Sequence, residues 1–257
     1  MKNPLRILVI RGGALGDFVV TLPVLAALRG AFPEADLGVL CHRAHGRLVE
    51  AANCVDEWRD LEARDWAGLF VHEPLEESES RTWLAGFDLV VSFLHDATGI
   101  FHRHISQLSG GEILVGCARP PNRSGRPASE TMLEVLAPLD LEHCDPVPRL
   151  QFVLENTVAR PLALHPGSGS ELKNWPEAKW EQLIGRLCKE GERLLLIGGE
   201  SEAERVERLG NHFATDNVRA MVNRPLAEVA QTLAGCRGLV GHDSGISHLT
   251  AALNVPC

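Results

Sequence analysis

The chain has 257 residues, of which 45% are hydrophobic, and its formal net charge at pH 7 is −9. This length accommodates two domains of ordinary size, and the acidic charge without a basic run argues against nucleic acid as the main partner. Seven scattered cysteines without a C-x-x-C pair argue against a disulfide framework or a structural metal site and favour a reducing compartment. No apolar leader follows Met1 and no apolar run approaches membrane-spanning length, so the sequence predicts a cytoplasmic protein.

The first predicted element is a buried parallel strand at residues 5–10, LRILVI, which is short, apolar and rich in β-branched residues. A glycine-rich turn, RGGALGD at residues 11–17, leads from it into an apolar helix predicted at residues 18–32. The glycines lack the G-x-G-x-x-G spacing of a dinucleotide site, and no acidic residue ends the second predicted strand, so the sequence disfavours NAD. Asp17 has two interpretations: a helix-capping carboxylate, or a base at the mouth of a site beyond the carboxyl end of the strand.

The rest of the first half alternates between predicted strands and helices. The strands are predicted at residues 36–40, 55–58, 88–93 and 112–116, and the helices at residues 44–51 and 100–108. Residues 73–79 are acidic, which predicts a solvated loop. His95, His102 and His104 lie close together in sequence, but no carboxylate is spaced to complete a metal site, so we expect these histidines to face solvent or to be satisfied within the core.

A basic loop broken by proline and glycine follows at residues 119–127. It carries Arg119, Arg123 and Arg126, whose guanidinium groups suit an anionic acceptor. The composition by itself favours a plain flexible loop. The three arginines are therefore guesses for an acceptor-binding site.

A domain boundary is predicted at residues 145–161, where three prolines surround one apolar stretch, and we divide the chain into residues 1–150 and 151–257. The second half is predicted to contain strands at residues 162–165, 194–197 and 218–221, a strand that stops at Gly241, helices at residues 176–189, 202–209 and 226–234, and a last helix a few residues after Gly241. This alternation predicts two consecutive α/β domains with parallel sheets.

Two turns rich in glycine and serine follow strands of the second half. HPGSGSELKNWP at residues 165–176 offers backbone N–H groups, hydroxyls and the movable cation of Lys173, but it lacks the Walker spacing. GHDSGIS at residues 241–247 opens a helix, where unpaired N–H groups and the helix dipole favour an anion. Asp243 suits a sugar hydroxyl better than a phosphate, and an ordinary Asp/Ser helix cap is the open alternative. Together the two turns suit a pyrophosphate.

Four segments of the chain, in this order and spacing, resemble the ADP-heptose:lipopolysaccharide heptosyltransferase family. They are ILVIRGGALGD at residues 7–17, HPGSGSELKNWP at 165–176, GGESE at 198–202 and DSGISHLTAAL at 243–253. The resemblance implies a GT-B enzyme, with two Rossmann-like β/α/β domains facing each other across a cleft. It implies that residues 1–150 form the acceptor-side domain and residues 151–257 the domain that binds the nucleotide-sugar donor.

The activity that the resemblance implies is transfer of a heptose, with inversion, from ADP-heptose to a lipopolysaccharide core or a similar lipid-linked glycan. No metal or other cofactor is implied, because GT-B enzymes as a class work without an essential metal. The acceptor places the enzyme in the cytoplasm, with peripheral contact at the inner face of the inner membrane.

The resemblance also implies site residues position by position. Asp17 matches the proposed general base, which removes the proton of the acceptor hydroxyl. Glu202 lies near the ribose-binding glutamate of the family, with Glu200 as the rival position, and Asp243 matches the residue that contacts the donor sugar. The other implied donor-binding residues lie by the phosphates: Ser168, Gly169, Lys173, Ser244, Gly245 and His248.

The resemblance has one departure, because family members continue past the strand that begins near Val255. This implies either a chain truncated at its C-terminus or a short member of the family, and in both cases part of the donor pocket would be absent. Three alternatives to a heptosyltransferase stay open: a nucleotide-sugar-binding protein of the same fold without turnover, a glycosyltransferase that uses another nucleotide sugar, and a nucleotide-sugar epimerase.

Overall fold

The computed structural model describes residues 4–71, 79–120, 125–153 and 160–257. It divides into two compact units, Met1–Pro148 and Arg149–Cys257. Arg123 lies outside the described residues, and so does the predicted acidic loop except for Glu79, which begins a helix. Within the described part of the chain, no helix is long and apolar enough to span a membrane.

Unit 1 is built on one parallel sheet. Its strands are β1 (Arg6–Arg11), β2 (Asp36–Cys41), β3 (Glu57–Asp60), β4 (Leu89–Ser92) and β5 (Glu112–Val115), and they lie in the order β3-β2-β1-β4-β5. β1 is central, with Leu8 opposite Gly38 on one side and Val90 on the other. Its apolar residues are almost fully buried, as expected for a strand that helices cover on both faces.

The helices of unit 1 are mostly short. They are α1 (Leu15–Val19), α2 (Leu22–Ala31), α3 (Arg43–Ala51), α4 (Glu79–Ala85), α5 (Ile100–Leu108) and α6 (Ala128–Leu133), with 3-10 segments at Arg64–Phe70 and Glu134–Leu139. The single helix predicted at residues 18–32 is wrong. Pro23 lies in the first turn of α2, and in one continuous helix its ring would clash with the carbonyl of Val19, so the chain breaks between α1 and α2. The third strand, predicted at residues 55–58, begins two residues later.

Unit 2 has a second parallel sheet of four strands. These are β6 (Leu162–His165), β7 (Leu194–Gly198), β8 (Val218–Val222) and β9 (Gly238–Gly241), in the order β8-β7-β6-β9. The helices are α7 (Glu177–Lys189), α8 (Ala203–His212), α9 (Leu226–Ala234) and α10 (Gly245–Ala252), with 3-10 turns at Glu171–Lys173 and Glu200–Glu202. Trp180 and Ile184 of α7 pack with Val206 of α8 in the core of this unit.

Each sheet contains a point at which the strand order reverses. In unit 1 the chain leaves β1 on one side for β2 and returns on the other side as β4, and in unit 2 β7 and β9 lie on opposite sides of β6. Open α/β sheets bind ligands in the crevice beyond the carboxyl ends of the strands at such points. The turn with Asp17 follows β1, and the two turns rich in glycine and serine follow β6 and β9.

Candidate active site

The Asp17 carboxylate lies in the turn between β1 and α1. Its Oδ2 accepts a hydrogen bond of 3.0 Å from the N–H of Ala14, so it caps the start of α1. The turn requires glycine at position 13, where φ is +92° and a Cβ would lie 2.7 Å from Asp17 Oδ2. The side chain of Asp17 is 45% exposed, so capping leaves the carboxylate open to a ligand. The two interpretations of Asp17, cap and base, are therefore compatible.

Two buried polar side chains that the sequence did not single out lie near Asp17. Arg11, the last residue of β1, places its Nη2 atom 3.6 Å from Asp17 Oδ1. His45 stacks on Phe18 with ring centroids 4.7 Å apart. Burial lowers the pKa of His45 to about 4, with the positive charges of His42 and Arg11 acting in the same direction and the Asp17 carboxylate opposing them. His45 is therefore neutral at pH 7. The sequence feature that could have indicated a buried charge here is Arg11, a charged residue at the end of an apolar strand.

In unit 2, the imidazole of His242 joins the two turns. The N–H of Trp175 donates to His242 Nε2 at 2.9 Å, so the proton of the neutral ring is on Nδ1, which lies 3.3 Å from the carbonyl oxygen of Gly167. The hydroxyl of Ser168 is engaged inside its own turn, 2.9 Å from Asn174 Oδ1. Gly169 has open space where a Cβ would point. The turns after β6 and β9 thus form one structure.

A charged cluster connects the same two turns. Lys173 Nζ donates to Asp243 Oδ2 at 2.7 Å, and His248 Nε2 lies 3.6 Å from the other carboxylate oxygen. The hydrogen bond and charge of Lys173 lower the pKa of Asp243. The side chains of Lys173, Asp243 and His248 are 54%, 70% and 51% exposed, so all three can reach a ligand.

The start of α10 borders this cluster. Ser244 is the N-cap residue, but its side chain makes no capping hydrogen bond, and its Oγ instead lies 3.4 Å from Ser247 Oγ. The alternative of an ordinary helix cap is therefore not supported at Ser244, whose side chain makes no capping hydrogen bond. Gly245 is the first helical residue. The described contacts give the N–H groups of Gly245 and Ile246 no side-chain acceptor, whereas the N–H of Ser247 donates to the carbonyl of Ser244 at 3.1 Å.

Glu202 lies against the turn after β6. Its Oε2 accepts a hydrogen bond of 3.1 Å from the N–H of Gly199. A Cβ at Gly167 would lie 2.0 Å from the Cγ of Glu202, so the glycine permits this close approach. Glu200, the rival position, is exposed. Glu202 therefore packs against the turn after β6.

The described contacts do not bring the predicted acceptor arginines together. Arg126 is paired with Glu130 at 3.2 Å and with Glu134 at 2.5 Å on and beyond α6. Arg119 is exposed, and Arg123 lies outside the described residues. Arg126 is thus held in local ion pairs that are about as exposed as the Lys173–Asp243 pair.

The histidines near β4 have separate environments. His102 Nε2 lies 2.9 Å from Ser92 Oγ, and its Nδ1 lies 3.2 Å from Asp96. His104 Nδ1 lies 3.1 Å from the carbonyl oxygen of Leu69, and His95 is exposed. No group of three or more potential metal-ligating side chains occurs among the residues that the structure describes.

Comparison with known proteins identifies the family. The profile of "Glycosyltransferase family 9 (heptosyltransferase)" matches residues 127–257, which is more than half of the chain. The chain belongs to glycosyltransferase family 9. It is therefore a glycosyltransferase, as predicted.

Relatives of this family 9 chain match it over nearly its whole length. The lipopolysaccharide heptosyltransferase 1 of Salmonella typhimurium is 28% identical over 283 residues, which cover 98% of this chain and 86% of the relative. The structure of Escherichia coli heptosyltransferase WaaC with ADP has a TM-score of 0.76 at 24% identity and covers 98% of this chain and 86% of its own. A family 9 glycosyltransferase from Veillonella parvula has a TM-score of 0.77 at 19% identity, over 100% and 81% of the two chains. These structures confirm the predicted GT-B class with its Rossmann-like units.

Proposed function

We propose that this family 9 member transfers a heptose from ADP-heptose to a lipopolysaccharide core or a similar glycan, with inversion at the anomeric carbon. The lipopolysaccharide heptosyltransferase activity of the Salmonella relative and the ADP bound to WaaC support this substrate class. The single observation that carries the proposal is the Lys173–Asp243 pair, which connects the two turns at the strand-order reversal of unit 2. Unit 2 supplies the donor site, and unit 1 supplies the base.

When the donor binds, Lys173 exchanges its partner, the Asp243 carboxylate, for the pyrophosphate of the donor. Lys173 and Asp243 are both exposed, and an exposed ion pair contributes little free energy, so a pyrophosphate can take the place of the carboxylate. The outward N–H groups at the start of α10 and the helix dipole add to the attraction. His248, in the first turns of α10, lies by the same phosphates. Asp243, released from Lys173, then accepts hydrogen bonds from hydroxyls of the sugar.

The remaining donor contacts come from the turn after β6 and from Glu202. Glu202 accepts hydrogen bonds from the ribose hydroxyls, as a carboxylate close to a glycine turn can do. The backbone of Gly169 is accessible to the phosphates because no side chain covers it. Ser168 shapes this turn through its internal hydrogen bond, and Ser244 and Gly245 present the N–H groups of α10.

The reaction is one displacement. Asp17 accepts the proton of the acceptor hydroxyl while that oxygen forms a bond to the anomeric carbon. The bond from the anomeric carbon to the pyrophosphate oxygen breaks, and ADP leaves with the electron pair. Lys173 and the N–H groups of α10 stabilise the developing negative charge, so the reaction requires no divalent cation. A single displacement inverts the anomeric configuration.

The acceptor is a lipid-linked glycan, and the enzyme acts at the cytoplasmic face of the inner membrane through peripheral contact. The lipopolysaccharide activity of the Salmonella relative supports this placement. Arg119, Arg123 and Arg126 remain proposed contacts for anionic groups of the acceptor.

The test is turnover of ADP-heptose with a heptose-free lipopolysaccharide core acceptor by the wild type and by Asp17→Asn. We expect the variant to lose a factor of about 10² to 10⁴ in kcat, the usual contribution of a general base, while its ADP affinity stays within about twofold. Asp140→Asn is the matched control, because Asp140 is exposed in the same unit and asparagine tolerates its left-handed φ of 57°. Wild-type turnover by Asp17→Asn, or a product with retained anomeric configuration by NMR, would contradict the proposal.

A further inference from the structure

Arg11 carries a buried positive charge at the carboxyl end of β1. Its side chain is 2% exposed, although arginine is almost never fully buried unless it is paired. Burial lowers its pKa, and the Asp17 carboxylate opposes this shift. A guanidinium nevertheless keeps its proton in proteins, so the charge persists and needs partners.

The guanidinium group of Arg11 connects the ends of three strands. Its Nε donates to the main-chain carbonyl of Asp17 at 3.0 Å. Its Nη1 donates to the carbonyl of Ala118 at 2.9 Å and lies 3.3 Å from the carbonyl of Phe93. These carbonyls follow β1, β5 and β4 respectively. The main chain at Asp17 is thereby held to the neighbouring strand ends of the sheet.

The same group also faces the Asp17 side chain. Within the described part of the chain, Nη2 is buried and has no hydrogen-bond partner, and Asp17 is the one carboxylate paired with Arg11. The distance of 3.6 Å from Nη2 to Oδ1 is too long for a good hydrogen bond but short for an interaction between opposite charges. The N–H of Ala14 holds the other oxygen, Oδ2. The carboxylate is thus restrained at both oxygens.

We infer that Arg11 is the positioning residue for the Asp17 carboxylate, which it orients through both the main chain and the charge of Asp17. Arg11 does not touch substrate, because its Nη2 is buried behind the carboxylate. The inference rests on the proposed role of Asp17 as the base. A base that is displaced by a fraction of an ångström loses its alignment with the acceptor hydroxyl, so loss of Arg11 lowers kcat and leaves donor binding to unit 2 intact.

The test compares Arg11→Met and Arg11→Lys with Asp17→Asn and the double variant Arg11→Met/Asp17→Asn. Methionine fills similar space without charge, and we expect it to lower kcat by about tenfold to a hundredfold while KM for ADP-heptose stays within about twofold. Lysine keeps the charge but not the planar set of donors, so we expect a kcat between those of the wild type and Arg11→Met. Arg11→Met is expected to add no further loss in the Asp17→Asn background, because both changes act through one carboxylate.

The outcomes distinguish the inference from the proposed function. If Asp17→Asn turns over at the wild-type rate, the proposed base is wrong. If Asp17→Asn is impaired and Arg11→Met has a wild-type kcat, or lowers the residual rate of Asp17→Asn by the same factor as in the wild type, the inference is overturned. Melting temperature and ADP affinity are measured for each variant to detect misfolding. If Arg11→Met does not fold, Arg11→Lys carries the test, and a wild-type kcat for Arg11→Lys overturns the inference.

Discussion

The two candidate sites lie at equivalent edges of their sheets but hold charge in opposite ways. In unit 1 the cation is Arg11, which is 2% exposed and fixed by three carbonyls beside Asp17. In unit 2 the cation is Lys173, which is 54% exposed and has Asp243 as an exposed partner. In the Arg11–Asp17 pair the cation is buried, whereas both members of the Lys173–Asp243 pair are exposed.

This difference matches what each site is proposed to do. The Arg11 charge is buried, so removal of the Asp17 carboxylate would leave that charge away from water with main-chain carbonyls as its remaining partners. An exposed pair contributes about 0 to 1 kcal/mol, so a stronger anion displaces the carboxylate at little cost. A base must keep its orientation through every turnover, whereas a donor site must release ADP. The groups beside Asp17, Arg11 and His45, should therefore be dry and rigid, whereas the Lys173–Asp243 pair should be wet and exchangeable.

The buried surroundings of Arg11 can be tested through His45, which has the larger expected effect of the two predictions below. An unfolded histidine titrates near 6.5, and burial lowers the pKa of His45 to about 4 in the folded chain. The folded state therefore binds fewer protons, so the stability due to neutral His45 is present above pH 6.5 and is lost as the pH falls towards 4. This shift of about 2.5 pKa units corresponds to a loss on the order of 3 kcal/mol of unfolding free energy.

His45→Phe keeps an aromatic ring on Phe18 and removes the titration. We expect its unfolding free energy, measured with urea at pH 7 and pH 4, to fall by about 3 kcal/mol less than that of the wild type. His143→Gln is the control, since the side chain of His143 is 93% exposed. An identical pH dependence in His45→Phe and the wild type would show that the buried region around His45 and Arg11 is not dry.

The exposed Lys173–Asp243 pair can be tested through Lys173, with a slightly smaller expected change in free energy. Lys173→Ala removes the cation that is proposed to meet the pyrophosphate, and we expect ADP affinity to fall by about 1.5 to 3 kcal/mol, or roughly 10- to 150-fold, the range for a hydrogen bond to a charged group. Lys179→Ala is the matched control, because Lys179 is exposed on α7 of the same unit. Unchanged ADP affinity in Lys173→Ala would mean that Lys173 stays with Asp243 and takes no part in binding.

Much of the fold could be predicted because apolar runs identify buried elements. The bounds of α5, β6 and α9 agree with the predictions, since each is an apolar run or stripe with clear ends. The predicted helices were wrong where a single residue ends a helix or where a helix lies next to a polar segment. Pro23 divides the helix predicted at residues 18–32, and α4 was missed because it follows an acidic segment, although its Trp83 and Leu84 are buried.

The site was predictable only in its separate parts. The glycine-rich turns pointed to Asp17, Lys173 and Asp243. The contact between Lys173 and Asp243 could not be predicted, because the two residues are 70 positions apart in the sequence. Arg11 and His45 were not predicted, because a charged or polar side chain is most often exposed and only the structure reveals that these two are buried.

A calorimetric titration with ADP, with UDP and GDP as comparisons and EDTA present throughout, tests most directly whether the turns of unit 2 form the donor site. We expect one ADP per chain, bound at least about tenfold more tightly than UDP or GDP, a difference of about 1.4 kcal/mol. The affinity should be weakened in Lys173→Ala and unchanged in Asp17→Asn. Equal affinity for the three nucleotides, binding that EDTA abolishes, or no binding of ADP would contradict a metal-independent ADP-heptose site in this unit.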